Sequence, residues 1–187
     1  LYYTDGALVS DNDISRPTRT GVSNFYGIYL STGCQSTLIE RNRIHDTHTN
    51  ALTLTSDSYG IYFSGADASA GTENQSINNL IYDFISNWAL YGIYNSSSNY
   101  SLYYHNTIVL NDSSAATTDN TYGFYQTTTA SNIQFKNNII SIKRGGSGTK
   151  HAIYLNSPAS ALDIDHNVYY IDTTQFDHYT GYYNSID

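Results

Sequence analysis

A short pattern of alternating apolar and aromatic residues recurs along the chain at intervals of about 30 residues. Three copies have the sequence YGIY, one has YGFY and one has HAIY. Alternating aromatic and β-branched residues are typical of a strand with one buried face. The copies are Tyr26–Tyr29, Tyr59–Tyr62, Tyr91–Tyr94, Tyr122–Tyr125 and His151–Tyr154. A fixed period of this length in a chain of short strands indicates a solenoid.

A second pattern alternates with the first: an apolar residue, two others, an Asn, one other and a second apolar residue, as in Ile39–Ile44. We expect the Asn to adopt the left-handed backbone conformation of a corner between two strands, and stacked Asn side chains to bond to one another. The copy at Ile77–Ile81 is one residue shorter, which makes Asn79 its expected corner residue. The other corner residues are Asn12, Asn42, Asn106, Asn138 and Asn167.

Each repeat therefore predicts three short parallel strands, separated by a turn, an Asn corner and a variable loop. This predicts an all-β, right-handed parallel β-helix of about six coils, formed by residues 1–187 as a single segment. An antiparallel sandwich gives no reason for the patterns to recur. The predicted inward residues are Ile28, Leu30, Ile61, Phe63, Ile93, Phe124, Ile153 and Leu155 on the first strands, Val9, Ile39, Tyr103, Phe135 and Ile164 on the second, and Ile14, Ile44, Ile81, Ile108 and Ile140 on the third.

Both ends of the sequence fall within a copy of the first strand. Leu1 aligns with Leu30, and Gly181–Asn184 aligns with Gly92–Asn95. Exposed strand edges normally need a cap. We therefore expect this chain to be a segment of a longer protein, with neighbouring domains of the same parent chain as its partners.

The two patterns, their order and their spacing resemble the right-handed parallel β-helix repeat family, the architecture of pectate-lyase-like proteins. The closing stretch Lys150–Asp187, with AIYL, NVYY and TGYYNS, is similar to β-helix regions of large secreted surface proteins of Gram-negative bacteria. The resemblance implies an extracellular or cell-surface location in a bacterium. It implies no particular activity, because this fold hosts lyases, hydrolases, tailspikes, adhesins and inert stalks.

Composition excludes several classes of partner. Only eight Lys and Arg residues are present against a net charge of −8, which argues against a nucleic-acid partner. No stretch is long and apolar enough to span a membrane, so we expect no membrane insertion. Cys34 is the single Cys, which excludes an internal disulfide. We expect it to be a buried structural thiol or a pairing partner for another chain.

The resemblance would place an active cleft along the first-strand sheet. A lyase needs carboxylates that hold Ca²⁺ and an Arg or Lys base there, and a hydrolase needs two or three carboxylates. The five strand copies contain no Asp, Glu, Lys or Arg, and His151 is their only titratable residue besides Tyr. We therefore expect no catalytic residue in this chain. The alternative is a fragment of a polysaccharide lyase or glycoside hydrolase whose catalytic coils lie outside it.

Tyrosines are predicted to face outward from the first strands and to form a row along the solenoid. Such a row can bind a polysaccharide or surface glycan by ring stacking and hydrogen bonding, or it can stabilise neighbouring coils. The row consists of Tyr29, Tyr62, Tyr94, Tyr125 and Tyr154. The sequence thus predicts a non-catalytic extracellular stalk or adhesin module, with glycan contact along the tyrosines as a more specific hypothesis.

Two acidic clusters are candidates for Ca²⁺ binding. Asp11 lies near Asp13, and Asp163, Asp165 and His166 lie near Asp172. Oxygen-rich groups of this kind suit Ca²⁺. Neither has a dedicated loop pattern, so we assign no metal site, and Ca²⁺ is the one cofactor left open.

His45, Asp46 and His48 form a third polar cluster. No nucleophile or further ligand accompanies them in the sequence, so we interpret them as polar surface residues. Arg41 and Arg43 are expected to pair with Glu40 or to contact solvent.

Overall fold

The computed structural model describes residues 1–16, 18, 23–48, 56–156 and 162–172. In this part of the chain there are seventeen β-strands and no helix. Every pair of neighbouring strands is parallel. The strands belong to three sheets, and the chain visits the sheets in turn.

The first-strand sheet has five strands, which contain the repeated aromatic pattern. They are β3 (Phe25–Leu30), β6 (Ser58–Ser64), β9 (Leu90–Ser96), β12 (Thr121–Gln126) and β15 (Lys150–Leu155).

The second and third sheets have six strands each and lie before and after the Asn corners. The second sheet contains β1 (Leu8–Ser10), β4 (Leu38–Glu40), β7 (Asn74–Ile77), β10 (Ser101–Tyr104), β13 (Ile133–Lys136) and β16 (Leu162–Asp165). The third contains β2 (Asp13–Ser15), β5 (Arg43–His45), β8 (Leu80–Tyr82), β11 (Thr107–Leu110), β14 (Ile139–Ile142) and β17 (Val168–Ile171).

Together the sheets form a parallel β-solenoid of about five turns with three strands per coil, which confirms the predicted fold class. Equivalent residues of successive repeats pair with one another: Ile61 pairs with Ile28 and with Ile93. The predicted sixth copy of the first strand, at 181–184, lies outside the described residues.

The core consists of apolar columns that point inward from all three sheets. Ile39, Tyr103 and Phe135 are fully buried on the second sheet, whereas Val9 and Ile164, in the terminal coils, are partly buried. The buried residues of the first sheet are Ile28, Leu30, Ile61, Phe63, Ile93, Phe124, Ile153 and Leu155, and those of the third are Ile44, Ile81, Ile108 and Ile140. The inward prediction is therefore confirmed.

One inward column changes from apolar to polar in the middle of the solenoid. Asn95 and Gln126 occupy the positions that Phe63 fills in the preceding coil and Leu155 in the last coil. Both amides bond to nearby backbone: the Asn95 Oδ1 accepts the Ser98 N–H at 2.8 Å, and the Gln126 Nε2 donates to a turn carbonyl at 2.9 Å. These bonds close the turns and offset the desolvation of the amides.

The third copy of the Asn pattern has the same length as the others, so the predicted one-residue shortening is wrong. Ser76 is the buried residue that pairs with Ile39, and Ile77 faces outward. The Ser76 Oγ donates to the Asn106 Oδ1 at 3.2 Å and accepts from the Asn79 Nδ2 at 3.1 Å. Because a serine occupies a position that is apolar in the other copies, the sequence alone suggested a shorter repeat. The two hydrogen bonds explain why this serine is tolerated in the core.

The corner residues form a continuous hydrogen-bonded ladder through the coils. In each step the side chain and the backbone N–H of one Asn donate to the Oδ1 of the next, as Asn106 does to Asn138 at 3.1 and 2.9 Å. The Asn106 Nδ2 also donates to the Ser76 carbonyl at 2.9 Å. The ladder comprises Asn12, Asn42, Asn79, Asn106, Asn138 and Asn167, which confirms the predicted equivalence of Asn79.

The left-handed backbone conformation at each corner belongs to the residue before the ladder Asn, which corrects our expectation. The preceding residue has φ of 57° at Asp11, 54° at Arg41 and 56° at His105, and all three side chains are exposed. The ladder side chain must point into the corner to reach the next coil. The strained angle therefore falls on an outward neighbour that is free of core packing.

Cys34 is buried and has no disulfide partner within the described chain. The Thr4 hydroxyl donates to its Sγ at 3.3 Å. Of the two expectations for this thiol, burial is therefore the one confirmed.

Candidate functional site

The glycine of the YGIY pattern determines which side chains face outward. Gly60 and Ile61 are consecutive and both buried, so the strand does not alternate strictly, and Tyr59 and Tyr62 lie on the same outward side. The paired register skips the glycine position in each strand. The pattern therefore produces two tyrosine columns, of which the sequence predicted only one.

These glycines face the core with no room for a side chain. A Cβ on Gly60 would lie 2.5 Å from the carbonyl oxygen of Gly92 and 2.9 Å from two methyl carbons of Ile81. The equivalent residue of β15 is Ala152, which does carry a Cβ. Close contact between neighbouring backbones therefore excludes larger residues at Gly60, Gly92 and Gly123.

The first column consists of the leading aromatic residue of each copy, and its rings are stacked in parallel. Ring centroids are separated by 4.9 Å from Tyr26 to Tyr59, 4.7 Å from Tyr59 to Tyr91 and 5.0 Å from Tyr91 to Tyr122, with interplanar angles of 3°, 6° and 11°. The His151 ring continues the stack at 5.1 Å and 7°. These separations match the spacing of paired strands.

The second column is the predicted row of tyrosines, which the register places in line. The Tyr94–Tyr125 and Tyr125–Tyr154 pairs are stacked at 4.9 and 5.1 Å, whereas Tyr29–Tyr62 and Tyr62–Tyr94 are tilted at 5.0 and 4.6 Å.

The two columns interlock edge to face. Tyr91 meets Tyr94 at 5.0 Å and 82°, and Tyr122 meets Tyr125 at 4.7 Å and 72°. We call the whole surface the tyrosine face; it comprises Tyr26, Tyr59, Tyr91, Tyr122, His151, Tyr29, Tyr62, Tyr94, Tyr125 and Tyr154.

Ring faces are largely occupied by neighbouring rings, and solvent reaches mainly edges and hydroxyl groups. Tyr26 and Tyr29, in β3, are 42% and 37% exposed, whereas Tyr122 is buried and Tyr94 is half-buried. Stacking of a sugar on an aromatic ring needs an open ring face. The geometry therefore leaves hydrogen bonding through hydroxyl groups as the main mode of contact available to a ligand.

Burial raises the pKa of several tyrosines above the ordinary value. It raises the pKa of Tyr94 to about 12, although a hydrogen bond with Thr127 opposes this. The pKa values of Tyr59 and Tyr91 are also raised, chiefly by burial and next by the negative charge of Asp57. These phenols are therefore neutral donors at physiological pH.

The residue two positions before each first-column tyrosine contacts its hydroxyl in three of the coils. Amide groups donate to it in two of them: the Asn24 Nδ2 to Tyr26 at 3.2 Å and the Asn120 Nδ2 to Tyr122 at 3.0 Å. The direction is reversed at Tyr59, whose hydroxyl donates to the Asp57 Oδ2 at 3.0 Å. Sequence reasoning missed Asp57 because it precedes the repeated pattern; its fixed offset from the leading tyrosine is a signal that could have found it.

The five copies of the aromatic pattern contain no Lys or Arg, but strand β15 begins one residue earlier, at Lys150. The first-strand sheet therefore contains one cationic residue. It is buried and donates to the carbonyls of Gly146 and Gly148 at 3.4 and 3.1 Å. Burial lowers the pKa of Lys150, and the charge of Arg144 lowers it further. Lys150 thus binds the backbone of its own loop and does not project from the tyrosine face.

Arg144 is a second buried cation and connects loops of three coils. It donates to the carbonyls of Ser86 and Trp88, both at 2.5 Å, and to the Thr121 Oγ1 at 3.0 Å. Burial lowers the pKa of Arg144 to about 10, against the raising effect of nearby carboxylates. Its contacts to backbone carbonyls indicate a structural role.

The structure divides the predicted polar cluster around His45, and His48 is buried, so its interpretation as a surface residue is wrong. His45 lies 2.7 Å from the Asp46 Oδ2 and 2.6 Å from the Asp13 Oδ1, whereas the His48 Nε2 lies 2.6 Å from Arg16. Burial opposes protonation of His45, but the hydrogen bonds to Asp46 and Asp13 outweigh it and raise its pKa. His45 is therefore part of an ion network with two carboxylates.

Asp11, Asp13, Asp163 and Asp165, four of the carboxylates considered for Ca²⁺, each contact a basic side chain. The pairs are Asp11–Arg41 at 2.9 Å, Asp13–Arg43, Asp163–Lys136 at 2.5 Å and Asp165–His166 at 2.6 Å. Arg41 also contacts Glu40 at 2.7 Å, as predicted, whereas Arg43, which was expected to pair with Glu40 or contact solvent, pairs with Asp13. Within the described ranges, no group of three or more His, Cys, Asp or Glu side chains is placed to hold a metal ion.

No helix in the described part of the chain is long and apolar enough to cross a membrane.

Comparisons with known proteins found no relative of this chain. No family model, no curated protein and no solved structure matches the sequence.

Proposed function

We propose that this chain is a non-catalytic segment of a secreted or cell-surface bacterial protein and acts as a rigid stalk or adhesin module. The observation that carries the proposal is the stacking of the tyrosine face: the rings bind one another from β3 to β15. A surface whose aromatic groups already bind each other stabilises a rod. The Asn ladder along the corner supports the same role.

The proposal places the chain in the right-handed parallel β-helix family of pectate-lyase-like architecture, on the residue patterns that resemble it. Its partners would be neighbouring domains of the same parent chain. The pairing of Asp11, Asp13 and Asp163 with Arg and Lys side chains supports a role without Ca²⁺, because these carboxylates are already compensated by cations.

An assay for polysaccharide cleavage tests this function against the alternative of a lyase or hydrolase fragment. The protein is incubated with acidic polysaccharides, with and without Ca²⁺, and unsaturated products and reducing ends are followed. We expect no turnover above a buffer control. Turnover that disappears in His45→Ala or Asp13→Asn would contradict the stalk proposal and place catalysis in the ion network around His45.

A second candidate function is glycan contact along the tyrosine face. The observation that favours it is the partial exposure of the tyrosine face, greatest at Tyr26 and Tyr29. Because ring faces are largely covered, binding would depend on hydroxyl groups rather than on ring stacking.

Phe and Ala variants on a glycan array separate this candidate from a purely structural role. Tyr94→Phe and Tyr125→Phe remove only the hydroxyl and preserve the stacked rings, whereas the Ala variants remove both. Array hits that are lost in both kinds of variant support hydroxyl-mediated glycan contact. If the wild-type protein gives no hits, the structural role alone remains.

A further inference from the structure

Tyr59 differs from Tyr26 and Tyr122, in the same column, in the partner of its hydroxyl group. It donates to a carboxylate, Asp57, at 3.0 Å, whereas the hydroxyls of Tyr26 and Tyr122 accept from amide groups. An amide that donates to a phenol oxygen withdraws electron density from it. A carboxylate that accepts the phenol proton has the opposite effect and can take that proton when the ring loses an electron.

The stack provides contact between this residue and its neighbours. Tyr59 lies between Tyr26 at 4.9 Å and Tyr91 at 4.7 Å, both nearly parallel to it, and Tyr94 meets it edge to face at 5.3 Å. Aromatic rings in such contact exchange electrons readily. An electron vacancy created on a neighbouring ring can therefore reach Tyr59.

We propose that Tyr59 is the residue of the tyrosine face that retains a tyrosyl radical, with the Asp57 carboxylate as its proton acceptor and an outer-sphere one-electron oxidant as the co-reactant. The Tyr59 phenol gives one electron to the oxidant, directly or through a stacked ring, and its hydroxyl proton moves to the Asp57 Oδ2. The products are a neutral tyrosyl radical, a protonated Asp57 and an oxidant reduced by one electron. A one-electron donor such as a thiolate reverses the step, and the proton returns to the phenol oxygen.

The surroundings of the pair favour this coupled transfer. Burial raises the pKa of Asp57, against hydrogen bonds from Tyr59 and from the backbone at Ala89, so the carboxylate is a stronger base than an exposed one. Burial and the Asp57 charge also raise the pKa of Tyr59, so the phenol keeps its proton until it is oxidised. Asp57 lies 3.0 Å from the oxygen that must lose the proton, within reach of direct transfer.

Photo-oxidation with a nitroso spin trap tests the proposal. A ruthenium tris-bipyridyl complex and a cobalt(III) ammine acceptor generate the oxidant, and mass spectrometry locates the trapped radical. We expect Tyr59 to carry the largest share of adduct. Surface accessibility alone would instead favour Tyr26, the more exposed ring of the column.

Two matched variants change the carboxylate without removing a ring. Asp57→Asn should lower the ratio of Tyr59 to Tyr91 adducts by roughly tenfold, the effect expected for loss of one charge-assisted hydrogen bond. Asn120→Asp should create the same arrangement at Tyr122 and raise the share of adduct there. Circular dichroism shows whether each variant is folded.

An adduct distribution that follows exposure, or one that Asp57→Asn leaves unchanged in the folded protein, would overturn the proposal. If Asp57→Asn does not fold, the Asn120→Asp variant decides: no gain at Tyr122 contradicts the assigned role of the carboxylate, and a gain supports it.

Discussion

The Asn ladder is one column of a single residue type and the tyrosine face is two columns of aromatic residues, and they stabilise the solenoid by different means. The ladder is buried in the middle coils, and its side-chain amides have hydrogen-bond partners within the protein. The tyrosine face lies at the surface, and its rings contact each other at about 5 Å. Removing one ladder residue leaves buried polar groups without partners, whereas removing one ring exposes its neighbours to water. The same period therefore yields one column whose residues are costly to remove wherever they are buried and one whose contributions add pair by pair.

Asn106→Ala is expected to have the largest effect. It removes the acceptor of Asn79 and the donor to Asn138 in a fully buried corner, and we expect a loss of about 3 kcal/mol in the free energy of unfolding. Chemical denaturation monitored by circular dichroism measures it. Asn12→Ala is the matched control at the exposed end of the ladder, with an expected loss of about 1 kcal/mol or less. Equal losses at the two positions would contradict the role of burial.

Gly92→Ala tests the close approach of coils beneath the tyrosine face. The new Cβ would lie 2.5 Å from the Ile108 Cγ2 and 2.7 Å from the Gly123 carbonyl oxygen, so we expect a loss of about 2 kcal/mol. Differential scanning calorimetry should show a lower Tm. Ala152→Gly, at the equivalent position of β15, is the control and should change stability by less than about 1 kcal/mol. A Gly92→Ala variant as stable as the wild type would show that the coils are not so closely packed.

Alkaline pH should weaken the tyrosine face but not the ladder, because Asn does not titrate. Burial raises the pKa values of Tyr59, Tyr91 and Tyr94 in the folded protein, to about 12 for Tyr94, above the value of about 10 in an unfolded chain. The unfolded state therefore loses these protons first. The stabilisation is complete below about pH 10 and is lost as the pH rises through the folded-state values.

Tyrosinate absorbance, recorded in parallel with circular dichroism, measures this effect. We expect part of the tyrosines to ionise only together with unfolding, whereas in urea all should titrate near pH 10. Complete ionisation near pH 10 in a chain that stays folded would contradict the burial of these rings.

The period of the sequence predicted the solenoid, its three strands per coil and the row from Tyr29 to Tyr154, because each depends only on which residues recur. Local geometry was harder to predict. Strict alternation of a strand would place Tyr59 on the inward face with Ile61, and only the irregular backbone at Gly60 brings it beside Tyr62. The alignment of the copy that contains Ser76 was also hard to predict, because the hydrogen bonds that satisfy this buried serine come from Asn79 and Asn106 and are not visible in the local apolar pattern.

The contact between Asp57 and Tyr59 shows the remaining limit of sequence reasoning. A single carboxylate before a strand looks like any polar loop residue, and the direction of its hydrogen bond depends on side-chain placement. The αL residue at each corner was misassigned for a similar reason, since an Asn can satisfy either the backbone angle or the ladder, and the structure assigns it to the ladder.

A double-mutant cycle on Tyr94 and Tyr125 tests most directly whether the rings of the tyrosine face bind each other. The two rings are stacked at 4.9 Å and 15°, and Leu replaces each Tyr singly and together. From denaturation of the four proteins we predict a favourable coupling free energy of about 1 kcal/mol. The same cycle on Tyr94 and Tyr170, which belong to different sheets, should give a value near zero. A coupling near zero for Tyr94 and Tyr125 would contradict the account of the tyrosine face as a structural column.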